Sequence, residues 1–434
     1  MTNFFSAGSF GIPRASVCLA AAAVVLTWTA PASAETDIEV WHALQGTHKT
    51  EFEKLVKQFN REQSDVDVSL KGFDSFDELI ANSSKAKSRP HLVQLADNHS
   101  PEVVAESKQI LPLYKLLASY PIKDQAWFLP QTSSFVRDGK GNLLAFPFMA
   151  EVPVMFYNID AYKKAGLDAA NPGRTWPDLQ GDLIKLRASG LRCPYGTSQQ
   201  VAVHFENLAP INRKSYASAS NGLAAGQPAL QFDSLFMRHL SMMVSWKRSQ
   251  LFTQHSNGSE ASAMFVKGEC GVLTAGSSAL GDMLDNRKLK FGVAPLPYYD
   301  QVAKEAGAPF VSGSALWTVA GHPKAEDKAT MAFLAFLSKP VVAAEWHQKT
   351  GFLPLTAGAF KASDVSFYER IPGAHKLVAS MSSKPLATSR GFRLRNYSSV
   401  EALLTKGFDE AMAGNKPPVQ VLSEIKASSS KLMH

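Results

Sequence analysis

The spacing of apolar residues changes period repeatedly along the first hundred positions. In TDIEVWHAL, residues 36–44, Ile38 and Val40 alternate with polar neighbours and lead into Trp41, which predicts a strand. HKTEFEKLVKQFNRE, residues 48–62, places Phe52, Leu55, Val56 and Phe59 at helical spacing. VDVSLKGF, residues 66–73, alternates again with Val66, Val68 and Leu70 on one face. SFDELIANSSKAKSRP, residues 75–90, reads as helix and PHLVQLAD, residues 90–97, as a buried strand. The order βαβαβ predicts an open α/β sheet with crossover helices. Ligands of such sheets sit at the carboxyl ends of the strands. Those ends carry Trp41-His42, Gly72-Phe73 and Asp97-Asn98-His99.

Later segments keep the α/β pattern. LLAFPFMAEVPVMFYN, residues 143–158, is apolar and bracketed by Pro147 and Pro153, which suits a chain crossing between lobes. FGVAPLP (291–297) and FVSGSALWTVA (310–320) read as strands. KAEDKATMAFLAFLSKPVVAAEWHQKTG, residues 324–351, reads as one helix with Met331, Leu334, Ala335 and Leu337 inward. Gly351-Phe352-Leu353-Pro354 breaks it, and SVEALLTKGFDEAMAG forms a last helix stopped by Gly414. Three crossings are expected, near 147–153, 294–298 and 350–354. With three crossings each lobe is assembled from non-adjacent pieces, an organisation that favours hinge closure. The expected division is 35–149 plus 298–350 for the first lobe and 150–297 plus 351–434 for the second.

The N-terminus changes the setting. Arg14 precedes an apolar run, Val17–Val25, and Ala32-Ser33-Ala34 fits the small-x-small cleavage rule, so residues 1–34 read as a signal peptide. A spanning helix needs roughly 20 apolar residues, more than this run supplies. Cys18 lies at the start of the run and not after it, which argues against lipidation. Export leaves Cys193 and Cys270 in an oxidising compartment, where they either form one disulfide or stay as buried thiols.

Composition excludes more than it identifies. The 434 residues are 45% hydrophobic and 19% charged, which is ordinary for a globular protein of more than one domain. The net charge of +7 is scattered without a basic run, so no nucleic-acid partner is expected. The chain lacks GxSxG, HExxH and GxxxxGK patterns, so an enzyme is not expected, although a carboxylate pair such as Asp97 and Glu151 leaves a hydrolase as the rival class. Eleven histidines include His42, His48, His91 and His99 in one lobe, yet no ligand spacing appears; neither metal nor cofactor is expected.

VWHALQG (40–46), FYNIDAYKKAGLD (156–168), TWPDL (175–179), FVKGEC (265–270), FGVAPLPY (291–298), SGSALW (312–317) and above all AAEWHQKTGFLP (343–354) carry a resemblance. With them the chain resembles the family 1 extracellular solute-binding proteins, and within these the glycerol-3-phosphate-binding group. The resemblance implies a two-lobe periplasmic binding fold of the venus-flytrap kind, each lobe a mixed sheet flanked by helices. It also implies a periplasmic monomer that delivers a small solute to ABC importer permease subunits served by a cytoplasmic ATPase. The family's pocket maps onto this chain with departures. Its first-lobe tyrosine falls at Phe76 and its acidic residue at Asp97. One pocket serine is Glu151, and another is Gly276, followed by Ser277 and Ser278. The ligand-facing glycine is kept as Gly313, and a tyrosine becomes Phe352. Two closing aromatics become Gln199 and Ala202, and the phosphate-pairing arginine becomes Glu401, with Arg393 and Arg395 nearby as substitutes.

The candidate ligand-binding residues are therefore Trp41, His42, Phe76, Asp97, Glu151, Gly276, Ser277, Gly313, Phe352 and Glu401. Each has a structural alternative: Asp97 as a helix cap, Glu151 as a hinge carboxylate, His42 as a packing or capping group, Glu401 as an exposed helix residue. A phosphate site needs arginines, hydroxyls and free amides. Carboxylates at three of these positions suit hydroxyls of a sugar or polyol, or a cationic head group.

Overall fold

The computed structural model describes residues 35–83, 89–123, 126–129, 133–255, 258–383 and 386–433. The expected signal peptide, with Arg14 and Cys18, lies outside the described residues, as does 84–88 of the second expected helix.

Among the described residues nine strands form two sheets. The first has the order β2-β1-β3-β9-β4, built from β1 (Thr36–His42), β2 (Val66–Gly72), β3 (Leu92–Ala96), β4 (Phe146–Glu151) and β9 (Ser312–Thr318). β1 pairs in parallel with β2 and β3, as the opening βαβαβ requires, whereas β9 runs antiparallel to both β3 and β4. The second has the order β6-β7-β5-β8, built from β5 (Pro153–Asn158), β6 (Cys193–Thr197), β7 (Cys270–Gly276) and β8 (Phe291–Pro295). β6 and β7 are parallel, and β5 is antiparallel to β7 and β8. Both sheets are thus mixed.

Local chemistry accounts for the elements. The helix Gly46–Glu62 buries Phe52, Leu55, Val56 and Phe59, the stripe its periodicity predicts. Along β5 the side chains alternate between two apolar clusters. Val154 and Phe156 join the cluster that also fills the first sheet, while Met155 and Tyr157 join the cluster on the opposite face. A strand buried on both faces reads as the continuous apolar run PVMFY. The single helix expected over 324–351 is in fact two, Lys324–Leu337 and Pro340–Thr350. Pro340 cannot donate a backbone hydrogen bond inside a helix but is tolerated in the first turn of a new one. The last expected helix spans Tyr397–Ala413 and ends on Gly414 at φ +77°, a left-handed cap.

The chain passes between the sheets at Val152, between β4 and β5, and again between β8 and β9 over 296–311. Phe310 still packs in the second cluster, so the expected 294–298 segment is only the first part of that passage. At Gly351–Pro354, the third expected crossing, Leu353 N donates to Ala150 O beside the β4–β5 passage. Cys193 and Cys270 face each other across the parallel β6–β7 pair, with Cα atoms 4.5 Å apart, and are joined as a disulfide.

Candidate functional site

A cavity of about 460 Å3 opens where the ends of the two sheets meet. Its volume lies within the range of small-molecule sites, roughly 300–1,000 Å3. Asp97, just past β3, the last β4 residue Glu151, and Ser312 and Gly313 of β9 reach it from the first sheet. Thr197 of β6 and the residues that follow it, Ser198 to Val201, reach it from the second. Ala202 and Glu206 line it from the π-helical segment Ala202–Glu206, and Glu401, Thr405 and Asp409 from the helix Tyr397–Ala413. A second cavity of about 490 Å3 shares Ser198, Gln199 and Gly258 with it and adds His48, Gly276, Ser278 and Asp282.

Four of the expected ligand residues, Asp97, Glu151, Gly313 and Glu401, come together in the first cavity, and Gly276 lines the second. Gly313 has φ +118°, and a Cβ there would lie 2.3 Å from Met149 O, so only glycine fits. Its carbonyl accepts from Asp97 N at 2.9 Å, which fixes the acid at the end of β3. Asp97 Oδ1 accepts from His99 N at 2.8 Å in a local turn; the helix that follows starts after Ser100. Glu151 Oε1 accepts from Gln199 Nε2 at 2.9 Å and Oε2 from Ser278 Oγ at 2.5 Å. A Cβ at Gly276 would fall 2.2 Å from Glu151 Oε2. The carboxylate therefore occupies the space that a side chain at 276 would need.

The remaining expected residues lie elsewhere. Trp41 is buried, with its ring 5.2 Å from Phe73 and Lys71 Nζ 4.4 Å over it. His42 is buried edge-on to Phe52, and its Nδ1 accepts from Leu44 N. Phe352 stacks on Trp346 and lies tilted against His48. Phe76 is half-buried at the start of the helix Phe76–Ser83. Ser277 N donates to Val152 O at 2.8 Å at the passage between sheets, and its hydroxyl is buried. None of these five lines either cavity. The burial of the three rings Trp41, His42 and Phe352 against first-sheet elements is what removes them from it.

Glu206 was not anticipated. It sits in the apolar run VAVHFENLAPI, where the π turn carries it onto the cavity; its Oε1 accepts from Tyr397 Oη at 2.7 Å, and Tyr397 in turn meets Tyr216 Oη at 3.0 Å. Such turns occur frequently at functional sites. Desolvation pushes Glu206 up to about 8, with Glu401 and Asp97 adding repulsion. Desolvation pushes Asp97 up to about 7, opposed by the His99 backbone bond and Arg393 and reinforced by Glu401. Glu401 is open to the cleft, yet the protein around it still raises its carboxyl by desolvation. His99 is driven down to about 3 by burial and the Arg393 charge, so it stays neutral.

Among the described residues, neither cavity is lined by a lysine or an arginine. Arg393, expected near the cleft, is bound to Glu102 at 2.9 Å and to the Arg137 carbonyl. Arg395 is exposed and outside the cavity. His91, His322 and Glu326 form a compact group with metal-like composition. However, His91 Nδ1 accepts from Glu39 N at 2.9 Å, so the neutral ring carries its proton on Nε2, toward Glu326. Ligation through Nε2 would demand an anionic ring, and the group reads as a hydrogen-bonded knot. In the other metal-like group, with His255, the two cysteines are joined.

The chain matches the profile of the bacterial extracellular solute-binding proteins over residues 54–373. It is 32% identical to the sn-glycerol-3-phosphate-binding periplasmic protein UgpB of Yersinia enterocolitica, over 98% of this chain and 97% of that protein. It is 32% identical to UgpB of Escherichia coli O1:K1, over 95% of this chain and 96% of that one. The fold is similar to Mycobacterium tuberculosis UgpB in complex with glycerophosphocholine, with TM-score 0.70 and 16% identity over 91% of this chain and 98% of that one. It is equally similar to maltose-bound MalE3 of T. maritima, with TM-score 0.72 and 17% identity over 92% and 100%.

Proposed function

The chain belongs to the bacterial extracellular solute-binding protein family, and from that premise we propose that it captures a polyhydroxylated solute, sugar or polyol in kind, without a phosphate monoester. One observation carries this reading: both cavities lack a lysine or arginine among the described residues, while the first presents Asp97, Glu151, Glu206, Glu401 and Asp409. A dianionic ester in this cleft would find no cationic side chain to pair with and would be repelled by those carboxylates that are ionised. Hydroxyl groups, by contrast, donate to carboxylates and accept from the amides of Gln199 and Gln200. Relatives are named for sn-glycerol-3-phosphate, and proteins of similar fold hold glycerophosphocholine or maltose, so a small hydroxyl-bearing solute is in keeping with the family.

In this reading residues 1–34 are the signal peptide, and the mature protein works in the periplasm as a monomer without catalytic chemistry. The two lobes are 35–149 plus 298–350 and 150–297 plus 351–434. Solute settles on Asp97 and Gly313 and closes the lobes by contacting Glu151, Glu206 and Glu401 as well. A ligand shifts the equilibrium toward closure by its differential affinity for the closed form. Permease subunits of an ABC importer, driven by a cytoplasmic ATPase, would then receive it. A thermal-shift panel of sn-glycerol-3-phosphate, glycerophosphocholine, glycerol and mono-, di- and trisaccharides tests the reading, because a native-state ligand raises Tm. A rise with a sugar or polyol and none with the phosphate monoester is expected; a rise with the monoester alone overturns it.

A further inference from the structure

We propose that the cavity selects solutes carrying a primary or secondary ammonium group on a polyhydroxylated frame, with Asp97, Glu206 and Glu401 receiving the ammonium. The inference rests on the solute-binding reading above and narrows its ligand. Three observations carry it.

The first is charge. Five carboxylates line one cavity, from just past β3 (Asp97), the end of β4 (Glu151), the π turn (Glu206) and the helix Tyr397–Ala413 (Glu401 and Asp409). The lining imidazoles, His99 and His255, are both held below their ordinary range by burial. Arg393 attracts Asp97 from outside the cavity but is bonded to Glu102. Glu206 is buried and the Asp97 side chain is 3% exposed, so a cation docking between them would favour their ionised forms.

The second is unmet hydrogen bonding. The Asp97 side chain is 3% exposed, and its Oδ2 takes no hydrogen bond; His99 Nδ1 stands 3.2 Å away but out of line for one. The His255 side chain, 4% exposed, also lines the cavity with an Nε2 that has no hydrogen-bond partner. Buried polar atoms of this kind are costly without a partner, and a ligand N–H is the group Asp97 Oδ2 lacks. By contrast Glu151 is already satisfied by Gln199 and Ser278.

The third separates two kinds of cation. A quaternary ammonium has no N–H and is held by aromatic faces. Apart from the two imidazoles, Phe252 is the one aromatic ring among the described lining residues. The lining instead offers acceptors, which an ammonium with up to three donors satisfies.

Calorimetric titration of matched pairs tests the proposal on protein purified from the periplasm of a host expressing the full chain. The pairs are D-glucosamine with D-glucose, D-galactosamine with D-galactose, and 1-amino-1-deoxy-D-glucitol with D-glucitol; choline and sn-glycerol-3-phosphate complete the set. The expected result is that the amine of at least one pair binds tenfold or more tighter than its hydroxyl partner. Its binding heat should also differ between phosphate and Tris buffers, because Asp97 and Glu206 release protons when the ammonium docks near neutral pH. Glu206→Gln should cut the ratio of amine to hydroxyl-partner affinity at least tenfold; should that variant fold poorly, the buffer dependence of the unmodified protein decides the question instead. Equal or tighter binding of the hydroxyl partners, preference for choline, or no binding by any amine at millimolar concentration overturns the proposal. Hydroxyl-only binding would leave the sugar-or-polyol reading standing, whereas binding of sn-glycerol-3-phosphate alone would remove both.

Discussion

Glu151, the last residue of a first-sheet strand, accepts a 2.5 Å hydrogen bond from Ser278, which lies two residues past the end of a second-sheet strand. The contact spans the passage between the sheets and points a carboxylate at the cleft. It depends on Gly276, where any Cβ would collide with that carboxylate. Gly276→Ser should therefore push Glu151 aside and weaken solute binding about tenfold with little loss of Tm, since a half-buried side chain can move. Glu151→Ala should weaken binding at least as much. Calorimetry with the solute identified by the thermal-shift panel measures both, and unchanged affinity in Glu151→Ala would remove this residue from the site.

Gly313 serves fold and site together. Its φ of +118° and the 2.3 Å approach a Cβ would make to Met149 O leave no room for alanine. Gly313→Ala should lower stability by roughly 2–4 kcal/mol, in the range of strained and overpacked core changes. Because Asp97 N donates to the Gly313 carbonyl, solute affinity should fall as well. Urea unfolding and calorimetry on the same sample separate the two effects.

The disulfide closes a sequence separation of 77 residues within one sheet. Cross-links of this kind typically contribute about 2–4 kcal/mol. Paired Cys193→Ser and Cys270→Ser substitutions, or reduction by dithiothreitol, should lower Tm by several degrees. An unshifted melt under reducing conditions would contradict the contribution.

Stability should depend on pH with a maximum near 6.5. His99 and His239 are held near 3 and His347 near 4, with His204 also lowered, all chiefly by burial. Below 6.5 the unfolded chain binds more protons at these four rings, so stability rises with pH up to that point. Asp97 and Glu206, raised to about 7 and about 8, do the opposite: the folded state keeps protons the unfolded chain releases, so stability falls as pH rises from about 4 to about 8. Four rings outweigh two carboxyls below 6.5, and the carboxyls act alone above it. Chemical unfolding from pH 4 to 8 should show the maximum, and Glu206→Gln should flatten its alkaline side.

The opening βαβαβ was legible because Phe52, Leu55, Val56 and Phe59 keep one period while Ile38 and Val40 keep another, and burial follows those periods. The break at Pro340 was hidden because apolar residues continue in helical spacing through both helices. At the site, Asp97 was readable as a strand-end position, and Gly313 only through the resemblance. Trp41 and Phe352 were misleading, since an aromatic beside a strand end serves equally as core packing. Glu206 carried one signal that could have found it: an acid flanked by Val203, Phe205, Leu208 and Ala209 must be compensated by a role. Which neighbours it meets depends on contacts nearly two hundred positions away, with Tyr397 and Glu401, and no local pattern encodes those.

The most direct test of the proposed cleft chemistry is a calorimetric titration of sn-glycerol-3-phosphate into the periplasmically purified protein. A cleft without lysine or arginine in its described lining, facing five carboxylates, should give no binding heat up to millimolar ligand. Saturable binding in the micromolar range would show an anion site in that cleft and contradict the sugar-or-polyol reading.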